Sequence, residues 1–579
     1  MRATRPHWPA RLLLASVALL AVMRTPDAVG QPVLLAIPNP VPAPVPQDAY
    51  FSDFGRAVAA LGSNILVGDA NASAVYLFDG ATGSLLRTFT GNAGSRFGTS
   101  VAALGGNVLV GAPDAVVSGT DAGAVYLLDG SSGAVVRTFV HPAPHNGGEF
   151  GWALAAAGGN VLVGAPTDET AYLFDGSSGT LLQTFANPGT FGQFGFAVAA
   201  VGGNAVIGSP FAGFGGFSYG DVYVFDASTG GLLHTIPNPN VPGTQGFGFD
   251  VAPFGANILV GSWISCCASQ QAAFLFDGTT AALLQTFPVS DAQSVSALGS
   301  NVLVGAGGRA YLFDPMNASP LRVFDYPTHT GSSFQQPKVA AVGNNVLMGA
   351  AGEPFHDRYG VAYLFCGGTT ACGPCQTCDA TGACVTAPHP TCRAPLSGRS
   401  TLVFKDKSPD DRDRLLWKVA GAFPDPAREN AGTIFGNPAL AVFEDDYALC
   451  VWDESGPLPS LLFRADAPAA GTCAGRDCWR ALTTSAEGNT LGYLYVDGEE
   501  TPHGLDNVLV RTQVSGGARM KVRGKGGNLS TAPVGMPAPP LNLPVRVQLQ
   551  VRNGYCWEST YTSTRANEPG LFRATAVTP

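Results

Sequence analysis

The sequence predicts an all-β protein whose main body is a seven-bladed β-propeller, and three observations carry that prediction. A Gly-x-Asn turn recurs seven times, ending at Asn64, Asn107, Asn160, Asn204, Asn257, Asn301 and Asn345, with a short apolar run on each side. Each copy is followed by a strand bearing an aromatic (Tyr76, Tyr126, Tyr172, Tyr223, Phe274, Tyr311, Tyr363), and a fourth run such as Leu85–Phe89 comes next in six of them. Gly (74) and Pro (44) are abundant among the 579 residues while charged residues are 13%, a composition of short strands and tight turns.

Residues 1–30 have the pattern of an export signal: Arg2, Arg5 and Arg11, then the apolar run Leu12–Val22, then Ala28-Val29-Gly30 before Gln31. The run is too short to span a bilayer, and the mature chain is expected to lack a transmembrane segment. A secreted location follows, whether extracellular, periplasmic or cell-surface associated.

Residues 31–365 hold the repeats. The asparagines are spaced 43 to 53 residues apart, which suits four strands of about five residues with their turns. A small antiparallel sheet cannot bury both faces alone, and radial stacking solves this. The first three strands occur seven times, the fourth only six times before Phe365. The missing copy stands at the other end, where Val33–Pro40 matches Leu232–Pro239. The N-terminal strand is therefore expected to complete the seventh blade and close the ring, removing an open edge.

Charge excludes one class of partner. Residues 31–365 carry 8 Lys and Arg against 20 Asp and Glu, whereas residues 366–579 carry 20 against 21. An acidic body repels phosphate backbones, so no nucleic-acid partner is expected.

Phe54-Gly55, Phe97-Gly98, Phe150-Gly151, Phe194-Gly195 and Phe247-Gly248 accompany Gly111-Ala112-Pro113 and Gly164-Ala165-Pro166. On these motifs the chain from Val33 to Phe365 resembles the FG-GAP repeat of integrin α-subunit propellers and many bacterial exported proteins. Asp291 and Gln335 replace the first Phe in the last two copies. The resemblance implies calcium in a carboxylate-rich loop between strands one and two, but here that loop is Gly-Gly-Asn, Gly-Ser-Asn or a close variant without carboxylates, so calcium is not expected.

The loops joining strands two to three and four to one share one face and vary most. Variable loops on a rigid scaffold are where binding residues concentrate. The candidates are His141 and His145 entering blade three, Phe214, Phe217 and Tyr219 in blade four, Trp263 in blade five, and Phe355, His356, Asp357 and Arg358 in blade seven. They point to a secreted or surface protein binding an extracellular protein or glycan, and not to an enzyme. The alternative is a carbohydrate-active hydrolase or lyase in the propeller funnel, with Asp168, Glu169, Glu353 and Asp357 as candidate carboxylates. Gly216–Gly220 matches a nucleophile elbow, but the strand that follows breaks its required context. Asp79, Asp129, Asp175, Asp226 and Asp277 read as turn formers. The eight histidines read as scattered, without a metal-binding pair, and no catalytic residue, metal or cofactor is expected.

Residues 366–396 hold Cys366, Cys372, Cys375, Cys378, Cys384 and Cys392. Export favours disulfides over zinc, and three bridges would rigidify a segment too small for a core. Cys266 and Cys267 form an unusual adjacent pair. Residues 397–579 read as a β-sandwich with four tryptophans, and Cys450, Cys473, Cys478 and Cys556 are expected to form two disulfides. This part is also similar to a domain of exported bacterial proteins of unknown activity. Arg519, Lys521, Arg523 and Lys525 alternate along one strand, so they share one face; they read as a charge-protected edge, with a site for an anionic polymer such as envelope polysaccharide as the alternative.

Overall fold

A computed structural model of the chain describes residues 33–40, 53–189, 191–213, 219–239, 245–263, 273–289, 291–325, 337–351, 360–368, 372–373, 375–378, 383–389, 392–395, 397–422, 438, 446–469, 471–483, 490–512, 517–530, 532, 534–551 and 556–578. The expected export signal and the Cys266-Cys267 pair lie outside them. The fold is all-β, with three short 3-10 turns among the described residues.

From Val33 to Phe365 there are seven antiparallel sheets of four strands. In the first, strands Ala57–Leu61, Asn64–Asp69, Ala74–Phe78 and Leu85–Thr90 follow in chain order. Five more repeat that order. The seventh takes its fourth strand from the other end: Val33–Pro38 pairs antiparallel with Val361–Phe365, and Ala36 faces Tyr363. Leu34, Leu35 and Ile37 are buried there. The pairing expected from the sequence match is observed.

Successive sheets pack through their faces. Seven hydrophobic clusters lie one between each sheet and the next, and one of them joins Leu347 and Leu364 of the seventh sheet to Ile65 and Phe78 of the first. The first strands also touch in succession, and Ala57–Leu61 lies against Lys338–Val342.

The paired glycines have a steric cause. A Cβ on Gly208 would collide with the carbonyl oxygen of Gly248 in the next sheet, and one on Gly349 with that of Gly55. Gly248 and Gly55 themselves have φ of +88° and +95°, conformations that L side chains rarely adopt. Five junctions have glycine on both sides, whereas Gly261 faces the Ala292 carbonyl and Gly305 that of Pro337.

Polar clamps run between neighbouring sheets at the rim. The Arg87 guanidinium donates to the Ser131 and Ser132 carbonyls, and Arg137 to those of Ser177 and Ser178. Gln183 donates to Ser228 O at 2.8 Å. In each receiving turn an aspartate gathers donors: Asp129 Oδ1 accepts from the Ser131 and Ser132 backbone N–H groups and hydroxyls. These bonds hold the Asp129 and Asp175 carboxyls down to about 2. Arg322 is the buried member of the clamp series. It donates to Cys366 O at 2.9 Å and to Gly368 O, and burial lowers its guanidinium to about 10.

Residues 397–578 form a two-sheet sandwich. One sheet has eight strands in the order 479–483, 490–496, 505–512, 517–525, 414–422, 397–405, 571–578, 564–568. The other has four, in the order 460–467, 447–453, 545–551, 556–561. One cluster fills the space between them, with Trp417, Trp479, Trp557, Tyr447 and Phe404 buried. The strand Gly517–Lys525 pairs on both sides, with 414–422 and 505–512. It is not the edge the sequence reading expected. Alternation reports the faces of a strand but not its neighbours.

The disulfides also depart from expectation. Cys372–Cys384 closes within the short segment and Cys473–Cys478 within the sandwich. Cys375–Cys450 and Cys392–Cys556 join the two. The segment is too small for its own core and is stapled to the sandwich instead. Gln550 accepts from Cys375 N–H at 2.9 Å, and Gln548 accepts from His389 N–H at 2.9 Å. No helix among the described residues is long and apolar enough to cross a membrane.

Candidate functional site

Each Phe-Gly step enters a first strand. The phenylalanine turns inward against the aromatic of strand three, as in Phe97 with Tyr126 (5.6 Å between centroids) and Phe194 with Tyr223 (5.6 Å). The glycine that follows has positive φ, and past that turn the next side chain stands on the loop side. There stand Arg56, Thr99, Trp152, Phe196 and Phe249.

Three of these make a continuous aromatic row. Trp152 lies 5.6 Å from Phe196, and Phe196 lies 4.8 Å from Phe249. Phe249 reaches Trp263 at 6.3 Å, and Phe211 bridges Phe196 (6.0 Å) and Trp263 (6.3 Å). All five are half-buried. Arg96 caps one end, its guanidinium 5.2 Å from the Trp152 ring and 3.4 Å from Asp114. A cation over an indole face is attractive and keeps the row ordered.

Of the residues singled out in the sequence, Trp263 joins this row. Tyr219 frames it by its backbone, its carbonyl accepting from Phe247 N–H at 3.0 Å and Asn238 Nδ2 at 2.9 Å. Phe214, Phe217, Phe355, His356, Asp357 and Arg358 lie outside the described residues. Trp152, Phe196, Phe249 and Arg96 were missed, whereas Phe211 opens the blade-four loop that the sequence reading singled out. For three of them the signal was present, as the residue directly after each Phe-Gly.

His141 and His145 gather elsewhere on the same face, around Asp168. His141 is buried, with Nε2 2.6 Å from Asp168 Oδ2. His145 is half exposed, with Nε2 2.7 Å from Asp168 Oδ1. The reading that found no histidine pair is corrected here: His141-Pro-Ala-Pro-His145 is a His-x-x-x-His spacing, held on a proline-bearing loop instead of a helix. The donor atoms of His141, His145 and Asp168 lie within 4.8 Å of one another. However, His141 Nδ1 accepts from Ala143 N–H at 3.1 Å. Its proton therefore sits on Nε2, facing Asp168, whereas a metal-bound imidazole normally donates from its other nitrogen. The cluster fits a close-packed clamp in which both imidazoles approach Asp168 and seat the 141–150 loop on the 166–169 turn, although Asp168 Oδ2 accepts no well-aligned hydrogen bond. The Tyr172 hydroxyl, 3.1 Å from His141 Nε2, is pushed up to about 12 by burial and by the nearby Asp168 charge.

Glu169 turns away from this cluster. Its carboxylate accepts from the N–H groups of Gly192 (3.0 Å), Gln193 (2.5 Å) and Phe194 (3.0 Å) and from Asn187 Nδ2 (2.6 Å). It anchors the segment that carries Phe196. Asp168 and Glu169 thus serve separate partners and do not form the facing acid pair a glycosidase needs. Glu353 and Asp357 lie outside the described residues.

Searches against protein-family models and against curated proteins find no match to this chain.

Proposed function

We propose that this is an exported, non-enzymatic binding protein of FG-GAP type, in which seven blades close into a ring and the loop face holds an extracellular glycan or protein. The ring reading is supported by the seven four-stranded sheets, the Val33–Pro38 strand in the last of them, and the core cluster shared by the seventh and first sheets. Export is supported by disulfides, which persist in oxidising compartments.

The binding reading rests on one observation, the half-buried row Trp152–Phe196–Phe249–Trp263. Sugar rings and apolar side chains both gain by covering such faces, and contiguous exposed aromatics on a monomer mark interaction sites. Glu169 and the Phe-Gly turns hold the row in place before a ligand arrives, which lowers the ordering cost of binding. The test is a glycan array and an envelope-binding assay with the protein and with a Trp152→Ala/Phe249→Ala/Trp263→Ala variant. Loss of binding with unchanged folding supports the reading, and full retention by the triple variant overturns it.

A further inference from the structure

The 20 cations and 21 acids of residues 366–579 nearly cancel, yet the eight-stranded sheet separates them. Along Gly517–Lys525, Ala518, Met520 and Val522 point into the core, and Arg519, Lys521, Arg523 and Lys525 point outward. Residues directly opposite across a sheet share a face. Arg519 stands opposite Arg511 on one side, and Lys521 opposite Lys418 on the other. Lys525 stands opposite Arg414, which in turn stands opposite Lys405. Arg399, opposite Ala420, and Arg573, opposite Val403, extend the same face.

The outward positions of these strands hold no acidic residue among 399–405, 414–420, 519–525 and 507–511. Among the described residues, acids meet this face at its margins: Asp506 meets Arg523 at 2.8 Å, Glu500 meets Lys525 at 2.7 Å, and Glu568 stands opposite Leu571 on the edge strand. Arg399, Lys405, Arg414, Lys418, Arg511 and Arg519, like Lys521 and Arg573, make no ion pair among the described residues. Like charges set about 5 Å apart across strands repel. A protein that keeps them there holds a surface complementary to a polyanion.

We infer that the outer face of this sheet binds a linear acidic polysaccharide. Its cations repeat along a strand at about 7 Å and across strands at about 5 Å, a lattice that an extended chain of carboxylates or sulfates can follow. Most of the cations are arginines, whose planar fork suits both groups in bidentate fashion. Between them lie Leu416, Leu509 and Thr401, with no aromatic on these strands' outer positions, so the stacking platform that single-stranded nucleic acids use is missing. A broad sheet face also does not enter a duplex groove. The choice of polysaccharide over other polyanions rests on export; the cationic face itself does not.

The experiment measures binding of the full chain to immobilised alginate, heparin and neutral dextran across a salt series. The expected result is retention on alginate or heparin, none on dextran, and weakening with salt as counterions are no longer displaced. Lys418→Gln/Arg519→Gln/Lys521→Gln removes three unpaired surface charges and should weaken binding by roughly tenfold or more. Lys418→Arg/Lys521→Arg should retain it. The Trp152→Ala/Phe249→Ala/Trp263→Ala variant should bind these polyanions unchanged, which separates this face from the aromatic row. Equal binding to dextran, no effect of the Gln variant, or tighter binding to duplex DNA or to phosphatidylserine vesicles would each overturn the inference.

Discussion

In the repeat region the core is divided into seven clusters, each shared by two neighbouring sheets, whereas in the sandwich a single cluster spans both sheets. The repeat sheets approach each other backbone to backbone through glycines such as Gly208 and Gly349. The sandwich is spaced by large side chains, with Trp417, Trp479 and Trp557 among the largest fully buried, while Trp452 packs with Cys375 and Cys450 outside that cluster. Charge follows the same division. The repeats spend their few charges on turns and clamps, while the sandwich spreads unpaired cations over a whole face. A repeated unit tolerates little variation at its junctions, so its variation collects in loops. The sandwich sheet varies along the strands themselves, on the face turned away from the core.

The sharpest test of that contrast removes residues 33–38. Burying Leu34, Leu35 and Ile37 is worth about 5 kcal/mol together, and deletion also opens a sheet edge. Chemical denaturation should show the repeat region's transition fall by that amount while the sandwich transition stays. An unchanged repeat transition would mean that the sheets do not depend on one another.

Cys375→Ser/Cys450→Ser should do the reverse. It releases a 75-residue separation and should cost about 4 kcal/mol, read in the sandwich transition alone. Next comes Gly208→Ala, which should cost about 3 kcal/mol because the Gly248 carbonyl cannot give way, whereas Gly106→Ala, with open space around it, should stay within about 0.5 kcal/mol.

The smallest effect is the response to acid. Asp79, Asp129, Asp175, Asp226 and Asp277 all sit below their ordinary range because turn donors bind the ionised form. Their contribution is present above the unfolded carboxyl value of about 4 and is lost as pH falls toward about 2. In the sandwich, burial raises Glu558, so its contribution is present at low pH and lost as pH rises through its folded value. Thermal melts between pH 5 and 2 should therefore weaken the repeats first. Asp129→Ala and Asp175→Ala should flatten that dependence, and an unaltered slope would remove the turn aspartates from the account.

How much was legible beforehand follows the same line. Seven in-phase copies make the strand order readable, and the match of Val33–Pro40 to Leu232–Pro239 was enough to place the N-terminal strand beside Tyr363. The aromatic row was half legible. Trp263 stood out as a loop residue, but Phe196 and Phe249 were passed over although each directly follows a Phe-Gly. The His141–Asp168 contact was hidden by distance in the chain, although the spacing of His141 and His145 was in plain view.

In the repeats the sequence alone determined the four strands of each unit and their turns, because the repeated pattern and glycine chemistry are local. It also determined that Arg519 to Lys525 share one side. Only the tertiary structure decided that their strand is interior, that Arg414 and Lys418 stand beside it, and that Cys375 and Cys392 reach Cys450 and Cys556. Partner choice in a sheet and in a disulfide depends on packing across the whole core, where many registers satisfy the same local pattern and only one fills the space.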